Sequence, residues 1–348
     1  MIMKYLLYLL FVGCAISCLN SKDVPFSEVK IIPVFTDSLS IRAIVPMDEN
    51  TVWFAANRGV VGLIDGTTPK LATIKYQDSI LNFRAISKTA TSVFVLSIET
   101  PAVLYKIDHI NKGVTKMTEV YVEENEKVFY DSMAFFDENE GIAMGDPTDT
   151  CLSIIKTTDG GKTWQKLSCE ILPEVHEGEA AFAASNSNIA IYNDHVWMVS
   201  GGKKARVFHS KNKGATWEVY NTPIIQGQTM TGIYSVDFYD ENLGVIFGGN
   251  WEDKDFNEGN KAITEDGGKT WQLLSNGRGP GYRSSVKFVP GTKGHGLIAV
   301  GSPGISYSSN RGIDWSDLSD QGFYALEFVN DSVAFASGNN IIAKLVFK

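Results

Sequence analysis

Short apolar segments that end on glycine or a turn recur along the chain. Seven of them have the length of a buried β-strand and are bounded by turn residues. They are 52–59 (VWFAANRG), 93–99 (VFVLSIE), 141–145 (GIAMG), 196–202 (VWMVSGG), 244–249 (GVIFGG), 296–301 (GLIAVG) and 333–338 (VAFASG). Each predicts the second strand of a four-stranded unit. The pattern therefore predicts an all-β fold, a seven-bladed β-propeller.

The two ends of the sequence predict how the ring closes. The seventh unit has only three strands before Lys348, whereas the apolar stretch 29–36 (VKIIPVFT) has no blade of its own. An unpaired outer strand leaves a sheet edge exposed. We therefore expect 29–36 to supply the outer strand of the last blade.

A second pattern occurs four times, as Ser/Thr-x-Asp/Asn-x-Gly-x-x-Trp. The copies are 157–164 (TTDGGKTW), 210–217 (SKNKGATW), 264–271 (TEDGGKTW) and 308–315 (SSNRGIDW). The Asp or Asn can accept backbone N–H bonds in a turn, the Gly supplies a positive φ, and the Trp returns to the core. The pattern resembles the Asp-box, or BNR, repeat of sialidase-like β-propellers. In those families the repeat is structural and lies away from the ligand face.

The starts of the predicted inner strands align as a side chain followed by a small residue and an apolar one. Since this position faces the channel of a propeller, the alignment predicts a cluster at one channel mouth. The aligned residues are Arg42, Arg84, Asp131, Glu179, Tyr234, Arg283 and Tyr324. Arg58 lies in a loop predicted on the same face.

Three interpretations of this cluster are open at the level of sequence. The charges pair with one another and hold water, or they bind an anionic or sugar-like ligand through Arg and Tyr, or they catalyse. As a hydrolase resembling sialidases, the chain would use the three arginines as a clamp. Tyr234 or Tyr324 would be the nucleophile, Glu179 its base and Asp131 the acid. The sialidase Phe-Arg-Ile-Pro string is absent, and the nearest one is Ile41-Arg42-Ala43-Ile44.

A closer resemblance covers nearly the whole chain after the first 17 residues. The strings Gly145-Asp146-Pro147, 178–185 (GEAAFAAS) and 232–238 (GIYSVDF) are similar to those of propellers related to photosystem II stability and assembly factors. The resemblance implies a non-enzymatic module that binds a membrane-protein partner through an arginine-rich patch. We therefore expect a binding or assembly module for an envelope protein or an anionic glycan, with a glycoside hydrolase as the alternative.

Composition narrows the classes of ligand. The chain has 348 residues, a formal net charge of −9 and a pI near 5.2, without a Lys/Arg cluster, so nucleic-acid binding is not expected. No dinucleotide fingerprint and no metal-ligand spacing among the five histidines is present, so neither a cofactor nor a metal site is predicted.

The first residues have the pattern of an export signal. Lys4 precedes the apolar run 5–16, and Ala15-Ile16-Ser17-Cys18 resembles a bacterial lipobox, with Cys14 a weaker alternative. The sequence thus predicts a lipoprotein signal over 1–17, lipidation of Cys18, a tether over 18–27 and one propeller domain over 28–348. We expect the protein to be anchored to a membrane in the cell envelope, in a Gram-negative bacterium.

Two further cysteines flank the first Asp-box. Cys151 and Cys169 lie symmetrically about its turn at Gly160, so a regular hairpin sets them opposite each other. Facing Cβ atoms on antiparallel strands lie roughly 4.5–5.5 Å apart, near the range of a disulfide. We predict a Cys151–Cys169 disulfide, because the envelope is an oxidising compartment.

Overall fold

The structure, a computed structural model, describes residues 25–66, 68–110 and 113–348. The predicted signal segment and the lipidation site Cys18 lie outside the described residues. Within them, the regular secondary structure consists of β-strands. The strand pairings give seven four-stranded antiparallel units around a ring. This confirms the all-β propeller and agrees with the predicted number of blades.

The first three blades follow the chain in order. Blade one contains the second half of β1 (Val29–Asp48), β2 (Thr51–Ala56), β3 (Val60–Asp65) and β4 (Thr68–Thr73). A short hairpin, β5 (Lys75–Tyr76) and β6 (Ser79–Ile80), leads to blade two, which has β7 (Phe83–Lys88), β8 (Ser92–Ser97), β9 (Ala102–Ile110) and β10 (Gly113–Glu123). Blade three has β11 (Tyr130–Phe135), β12 (Gly141–Gly145), β13 (Ser153–Thr157) and β14 (Gln165–Lys166).

Blade four is preceded by β15 (Glu179–Ala180) and contains β16 (Ile189–Tyr192), β17 (His195–Val199), β19 (Arg206–Ser210) and β20 (Glu218–Asn221). The two-residue strand β18 (Gly201–Gly202) pairs with β15 and with blade five. Blade five has β21 (Thr231–Phe238), β22 (Gly244–Asn250), β23 (Lys261–Thr264) and β24 (Gln272–Leu273). Blade six has β25 (Ser285–Phe288), β26 (Leu297–Gly301), β27 (Gly304–Ser308) and β28 (Ser316–Ser319), and blade seven has β29 (Ala325–Phe328), β30 (Val333–Ser337) and β31 (Asn339–Phe347).

Strand β1 closes the ring. Its first half pairs antiparallel with β31, from Val29 opposite Phe347 to Ser40 opposite Asn339. Its second half pairs with β2 as the inner strand of blade one. The prediction for 29–36 is confirmed, because that segment is the outer strand of blade seven.

The second strand of each blade is buried at all or nearly all of its positions. Strands β2, β8, β12, β26 and β30 are buried at every position. A central strand is covered on both faces by the neighbouring blades, so its sequence is continuously apolar instead of alternating. This explains why the second strands were the clearest signal in the sequence.

The Asp-box turns form the hydrogen bonds that their residue types predict. Asp159 Oδ1 accepts the N–H groups of Lys162 (2.9 Å) and Thr163 (3.0 Å), and Gly161 has φ of 72°. The first residue of the motif also takes part, since the Gly161 N–H donates to Thr157 Oγ1 (3.1 Å). These bonds stabilise the turn that joins the two strands of the hairpin. The Asp-box residues therefore have a structural role and not a role in ligand binding.

Cys151 and Cys169 form a disulfide with a Cα–Cα distance of 5.5 Å, as predicted. The regular ladder of the hairpin ends before it, because the last backbone bond joins Leu167 N–H to Ile154 O (2.8 Å). The disulfide therefore continues the connection of the two strands beyond their paired residues. The described part of the chain contains no helix with the length and apolar character needed to span a bilayer.

Candidate binding site at the channel mouth

The seven inner strands surround a central channel with two distinct faces. Strand direction reverses at each turn, so the inner strands begin opposite the Asp-box turns. Those turns lie beside the turns that end the inner strands, as shown by the Gly160 N–H bond to Asn139 O (2.9 Å) and the Gly267 N–H bond to Asn242 O (2.9 Å). We call the other face, where the inner strands begin, the mouth face.

Residues 182–187 occupy the channel near the mouth face, and we call them the channel plug. They precede β16 and bond to the inner-strand segments of blades one, two, three, five and six. The bonds are Arg42 Nη1 to Ala184 O (3.2 Å), Arg84 Nη1 to Ala183 O (3.4 Å), Asn186 Nδ2 to Ile86 O (2.9 Å), Met133 N–H to Asn186 Oδ1 (3.0 Å), Val236 N–H to Ser187 O (2.9 Å) and Ser185 Oγ to Ser284 O (2.6 Å). A segment that bonds to five surrounding blades must lie at their centre.

Arg42 and Arg84 lie together above the channel plug. Each is half-buried and donates one N–H to a plug carbonyl. Burial lowers the pKa of Arg84, and the positive charge of Arg42 lowers it further. The Arg42 guanidinium carbon also lies 4.1 Å from the centre of the Tyr324 ring, so three of the predicted site residues are brought together. Neither arginine forms an ion pair with a carboxylate of the described residues.

Asp131 lies behind the arginine pair, without exposed surface. Neither of its carboxylate oxygens has a hydrogen-bond partner in the described chain. Burial raises its pKa well above the usual range, the neighbouring Asp146 raises it further, and Arg84 opposes the shift. Burial likewise raises the pKa of Asp146 to about 6, although the Ala181 N–H bond to its Oδ1 (2.8 Å) opposes this. Burial therefore favours the neutral form of Asp131 over its charged form.

Glu179 does not begin an inner strand, which corrects the sequence alignment. It lies in β15, whereas the inner strand of blade four is β16, ten residues further along. Its carboxylate is buried and accepts two-pronged hydrogen bonds from Arg206, including Nη2 to Oε2 at 2.6 Å. Ser200 Oγ donates to the other oxygen (2.6 Å). Glu179 is thus fully paired within the fold and does not join the arginine pair.

Arg283 is on the predicted inner-strand segment, but its side chain runs along its own blade. It is 4% exposed, and its Nη2 donates to Ser306 Oγ (2.8 Å) and lies 3.6 Å from Asp317 Oδ1. Arg58 is exposed on the loop after β2, with φ of 59°, and its guanidinium donates to Ser38 O. Neither residue joins Arg42 and Arg84.

Tyr234 contributes to an aromatic row across the mouth. Its ring stacks on Phe182 of the channel plug, with centroids 4.0 Å apart, and meets Tyr282 edge-on at 4.8 Å. Tyr282 lies close enough to Arg42 for that charge to act on its phenol. The hydroxyl of Tyr234 donates to Met230 O (3.0 Å), and burial raises its pKa. The row Phe182–Tyr234–Tyr282 thus continues to the arginine pair and Tyr324.

The loop between β22 and β23 forms a rim beside this row. The Tyr282 N–H donates to Lys254 O of the loop (2.8 Å). Trp251 is 44% exposed and Phe256 is also exposed, although both are large apolar side chains. Lys254 Nζ lies 5.0 Å from the Trp251 ring centre. The rim therefore adds exposed aromatic surface to the mouth face.

Sequence reasoning missed the channel plug and its residues Phe182 and Asn186. Glu179 is followed by the small residues Ala180 and Ala181, so this segment matches the pattern of the predicted inner strands. Among the described residues, no group of three or more His, Cys, Asp or Glu is placed to hold a metal ion. The mouth face thus presents two neighbouring guanidinium groups beside a row of aromatic rings.

Comparison with known proteins identifies the type of propeller. Residues 111–223 match the family model of photosynthesis system II assembly factor YCF48. No curated protein matches the sequence.

Similar solved structures include YCF48 bound to D1 peptide, with a TM-score of 0.66 and 14% identity over 93% of this chain and 98% of that one. YCF48 from Cyanidioschyzon merolae has a TM-score of 0.61 and 14% identity over 92% of this chain and 98% of its own. A GH74 xyloglucanase from Xanthomonas campestris has a TM-score of 0.63 and 12% identity over 90% of this chain and 53% of its own. The chain is therefore a BNR-type β-propeller that resembles the photosystem II assembly factors.

Proposed function

We propose that the protein is a non-catalytic binding or assembly module that holds a carboxylate-bearing segment of a protein partner on its mouth face. The observation that carries this proposal is the pair Arg42 and Arg84. Two adjacent guanidinium groups repel each other, and neither forms an ion pair with a carboxylate of the described chain, although the charges of Asp131 and Glu99 partly offset the lowering of the Arg84 pKa. An arrangement of this kind favours binding of an anion.

The remaining N–H donors of the arginine pair are suited to bind a carboxylate. Each arginine uses one N–H group on a plug carbonyl, at 3.2 Å and 3.4 Å, and keeps further donors for a ligand. The planar guanidinium matches a carboxylate with two parallel hydrogen bonds, which are stronger when both partners are charged. A solved relative is described as YCF48 bound to D1 peptide, which supports a peptide as the source of the carboxylate.

The aromatic surface beside the pair supports a protein partner in preference to a small anion. Trp251 and Phe256 expose apolar rings on the rim, and the row Phe182–Tyr234–Tyr282 leads from the channel plug to Arg42. Aromatic side chains and arginine are the residues most often found at the energetic centre of protein interfaces. Because a sugar can also stack on such rings, an anionic glycan is the second ligand class to test.

The path of the N-terminal strand supports an orientation for the proposed lipid anchor at Cys18. β1 enters blade seven antiparallel to β31 and therefore runs from the Asp-box face toward the mouth face. A tether of ten residues, 18–27, extends at most about 35 Å. An anchored chain would thus direct its mouth face away from the membrane that holds it, toward a partner in the envelope.

The hydrolase alternative requires reactive groups that a substrate can reach. Asp131 has no exposed surface, Glu179 is 3% exposed and bound to Arg206, and Tyr234 is 2% exposed. Only Tyr324 of the four candidate catalytic residues keeps partial exposure. The resemblance to a GH74 xyloglucanase at 12% identity concerns the fold.

Site-specific photo-crosslinking in the native host tests the proposal. A photoreactive residue is placed at Gln321 on the mouth face or, as a control, at Lys269 on the Asp-box face, both of which are exposed. Crosslinks to a protein are expected from Gln321 and not from Lys269. They should disappear in the double variant Arg42→Ala/Arg84→Ala.

A variant of the opposite face controls for the loss of charge. Arg311→Ala removes a positive charge from an Asp-box turn, where the exposed pair with Glu265 (3.0 Å) stabilises the fold by about 0–1 kcal/mol. It should keep the mouth-face crosslinks. Crosslinks that persist in the Arg42→Ala/Arg84→Ala variant would refute the proposed site, and a thermal shift with uronic acids or sialosides instead of peptides would favour the glycan class.

A further inference from the structure

The channel plug has a conformation that turns two successive carbonyl groups toward the arginine pair. The Ala184 N–H donates to Phe182 O (2.6 Å), which closes a three-residue turn around Ala183. Successive carbonyls of an extended strand point to opposite sides. The turn instead lets Ala183 O and Ala184 O accept one N–H each from Arg84 and Arg42. Both alanines are only 5% exposed, and their small side chains permit this close approach.

The side chain of Asn186 holds this turn in place through hydrogen bonds to two blades. Its amide bridges two blades, because Nδ2 donates to Ile86 O of blade two (2.9 Å) and Oδ1 accepts the Met133 N–H of blade three (3.0 Å). Its backbone has φ of 60°, in the left-handed region that Asn adopts more readily than most residues. Asn186 thus fixes the position of the plug along the channel. It does so two residues after Ala184, whose carbonyl accepts the bond from Arg42.

The bonds on the opposite side complete the support. Ser185 Oγ donates to Ser284 O of blade six (2.6 Å), and the Val236 N–H of blade five donates to Ser187 O (2.9 Å). At the other end of the plug, Ala181 is bonded to Asp146. The Asn186 side chain contacts both blade two and blade three, from which Arg84 and Asp131 extend.

Two like charges need such support to remain adjacent. Burial and the neighbouring Arg42 both disfavour the charged form of Arg84, and burial also disfavours the charged form of Asp131 behind it. If the plug carbonyls moved, mutual repulsion would separate the guanidinium groups or draw them into solvent. The plug therefore converts two mobile cations into a pair with a fixed spacing.

We propose that Asn186 is a positioning residue of the mouth face, which fixes the plug carbonyls that orient Arg42 and Arg84. The role in ligand binding rests on the function proposed above, but the positioning itself belongs to the unliganded protein. It is distinct from simple filling of the channel, which any side chain of similar size would perform.

Arginine side-chain NMR tests the proposal without a ligand. The chain contains seven arginines, so the Nε and Nη signals of a ¹⁵N-labelled sample are few enough to assign. In the unmodified chain, Arg42 and Arg84 should show separate Nη signals because their bonds to the plug restrict rotation. Asn186→Gly keeps the left-handed backbone and removes the amide. It should average the Nη signals of these two arginines and leave Arg206 and Arg283 unchanged, since those bind Glu179 and Ser306.

Asn188→Ala is the matched control. Asn188 is fully buried two residues further along, and neither of its side-chain amide atoms has a partner in the described chain. This variant should retain separate Nη signals for Arg42 and Arg84. If Asn186→Gly lowers the melting temperature but leaves those signals as in the unmodified chain, the plug only fills the channel and the proposal is wrong.

A second variant keeps the test independent of folding. Asn186→Asp retains the acceptor for the Met133 N–H and loses the donor to Ile86 O, a smaller change than loss of the whole amide. It should shift the Nη signals of Arg84, whose blade carries Ile86, more than those of Arg42. Unchanged signals in this variant would also overturn the proposal. Loss of partner crosslinks in Arg42→Ala/Arg84→Ala concerns the proposed function alone and does not affect this result.

Discussion

The guanidinium carbon of Arg42 lies 4.1 Å from the centre of the Tyr324 ring, so the first and last inner strands of the ring meet through a cation–π contact. Arg42 belongs to β1 and Tyr324 directly precedes β29. The contact occurs beside the channel plug, where Arg42 also donates to Ala184 O. Tyr324 therefore helps to define the direction of a guanidinium that would otherwise turn toward solvent.

This contact predicts energetic coupling between Arg42 and Tyr324. A double-mutant cycle with Arg42→Met and Tyr324→Leu should give a coupling free energy of about 0.5–1 kcal/mol in urea unfolding, as expected for a partly exposed cation–π pair. Tyr324→Phe keeps the ring and should retain the coupling. A coupling near zero with Tyr324→Leu would show that the ring does not hold the guanidinium.

The pH dependence of stability should reflect the buried carboxyl group of Asp146. Its pKa rises from 3.8 to about 6 on folding, so the folded chain holds a proton that the unfolded chain has released between these values. The free energy of unfolding therefore falls as pH rises from about 4 to about 6, by up to about 3 kcal/mol for this group.

Asp146→Asn should remove this contribution, because an amide oxygen can still accept the Ala181 N–H bond. The variant is expected to unfold at a higher temperature than the unmodified chain at pH 8 and at the same temperature near pH 4. Thermal unfolding across this range measures the difference, with Asp149→Asn as the control on an exposed carboxylate three residues along. If the variant were less stable than the unmodified chain at pH 8, the predicted destabilising effect of the buried Asp146 carboxylate would be wrong.

The disulfide predicts a loss of stability on its removal. Cys151 and Cys169 are separated by 18 residues, and closing a loop of this size stabilises a fold by about 3 kcal/mol in the chain-entropy account. Cys151→Ser/Cys169→Ser should therefore lower the free energy of unfolding by about this amount, measured in guanidinium chloride. The variant should be insensitive to a reducing agent, which should destabilise the unmodified chain equally.

The architecture could be predicted because its signals are local. A second strand between two neighbouring blades must be apolar throughout, as in Val52–Ala56 within β2, and an Asp-box turn needs its Asp and Gly at fixed positions. Ring closure followed because β31 had no outer neighbour without 29–36. Each of these requirements acts over a few residues, so each is visible in the sequence.

The site was only partly predicted, because the direction in which each side chain points depends on the register of its strand. Arg42 stands two residues before the apolar position Ile44, whereas Arg283 stands three before Val286. Since side chains alternate along a strand, one additional residue turns the side chain toward the other side. Arg283 accordingly points along its blade to Ser306 and not to Arg42.

The channel plug was missed for a different reason, although its length was visible. Glu179 lies 17 residues before Val196, compared with 10 residues between Arg42 and Val52. The additional seven residues do not form a longer loop outside the ring. They enter the channel, a placement determined by contacts with five other blades that no local pattern encodes.

The pairing of β1 with β31 also sets an order in time. Ribosomes make Val29 early and Phe347 near the end, so the first strand of the fold waits for its partner through most of synthesis. Until then blade seven lacks its outer strand and the seven sheets form an open arc, which is a slow, long-range closure in folding terms. Closure of the ring therefore depends on the last strand that the ribosome makes.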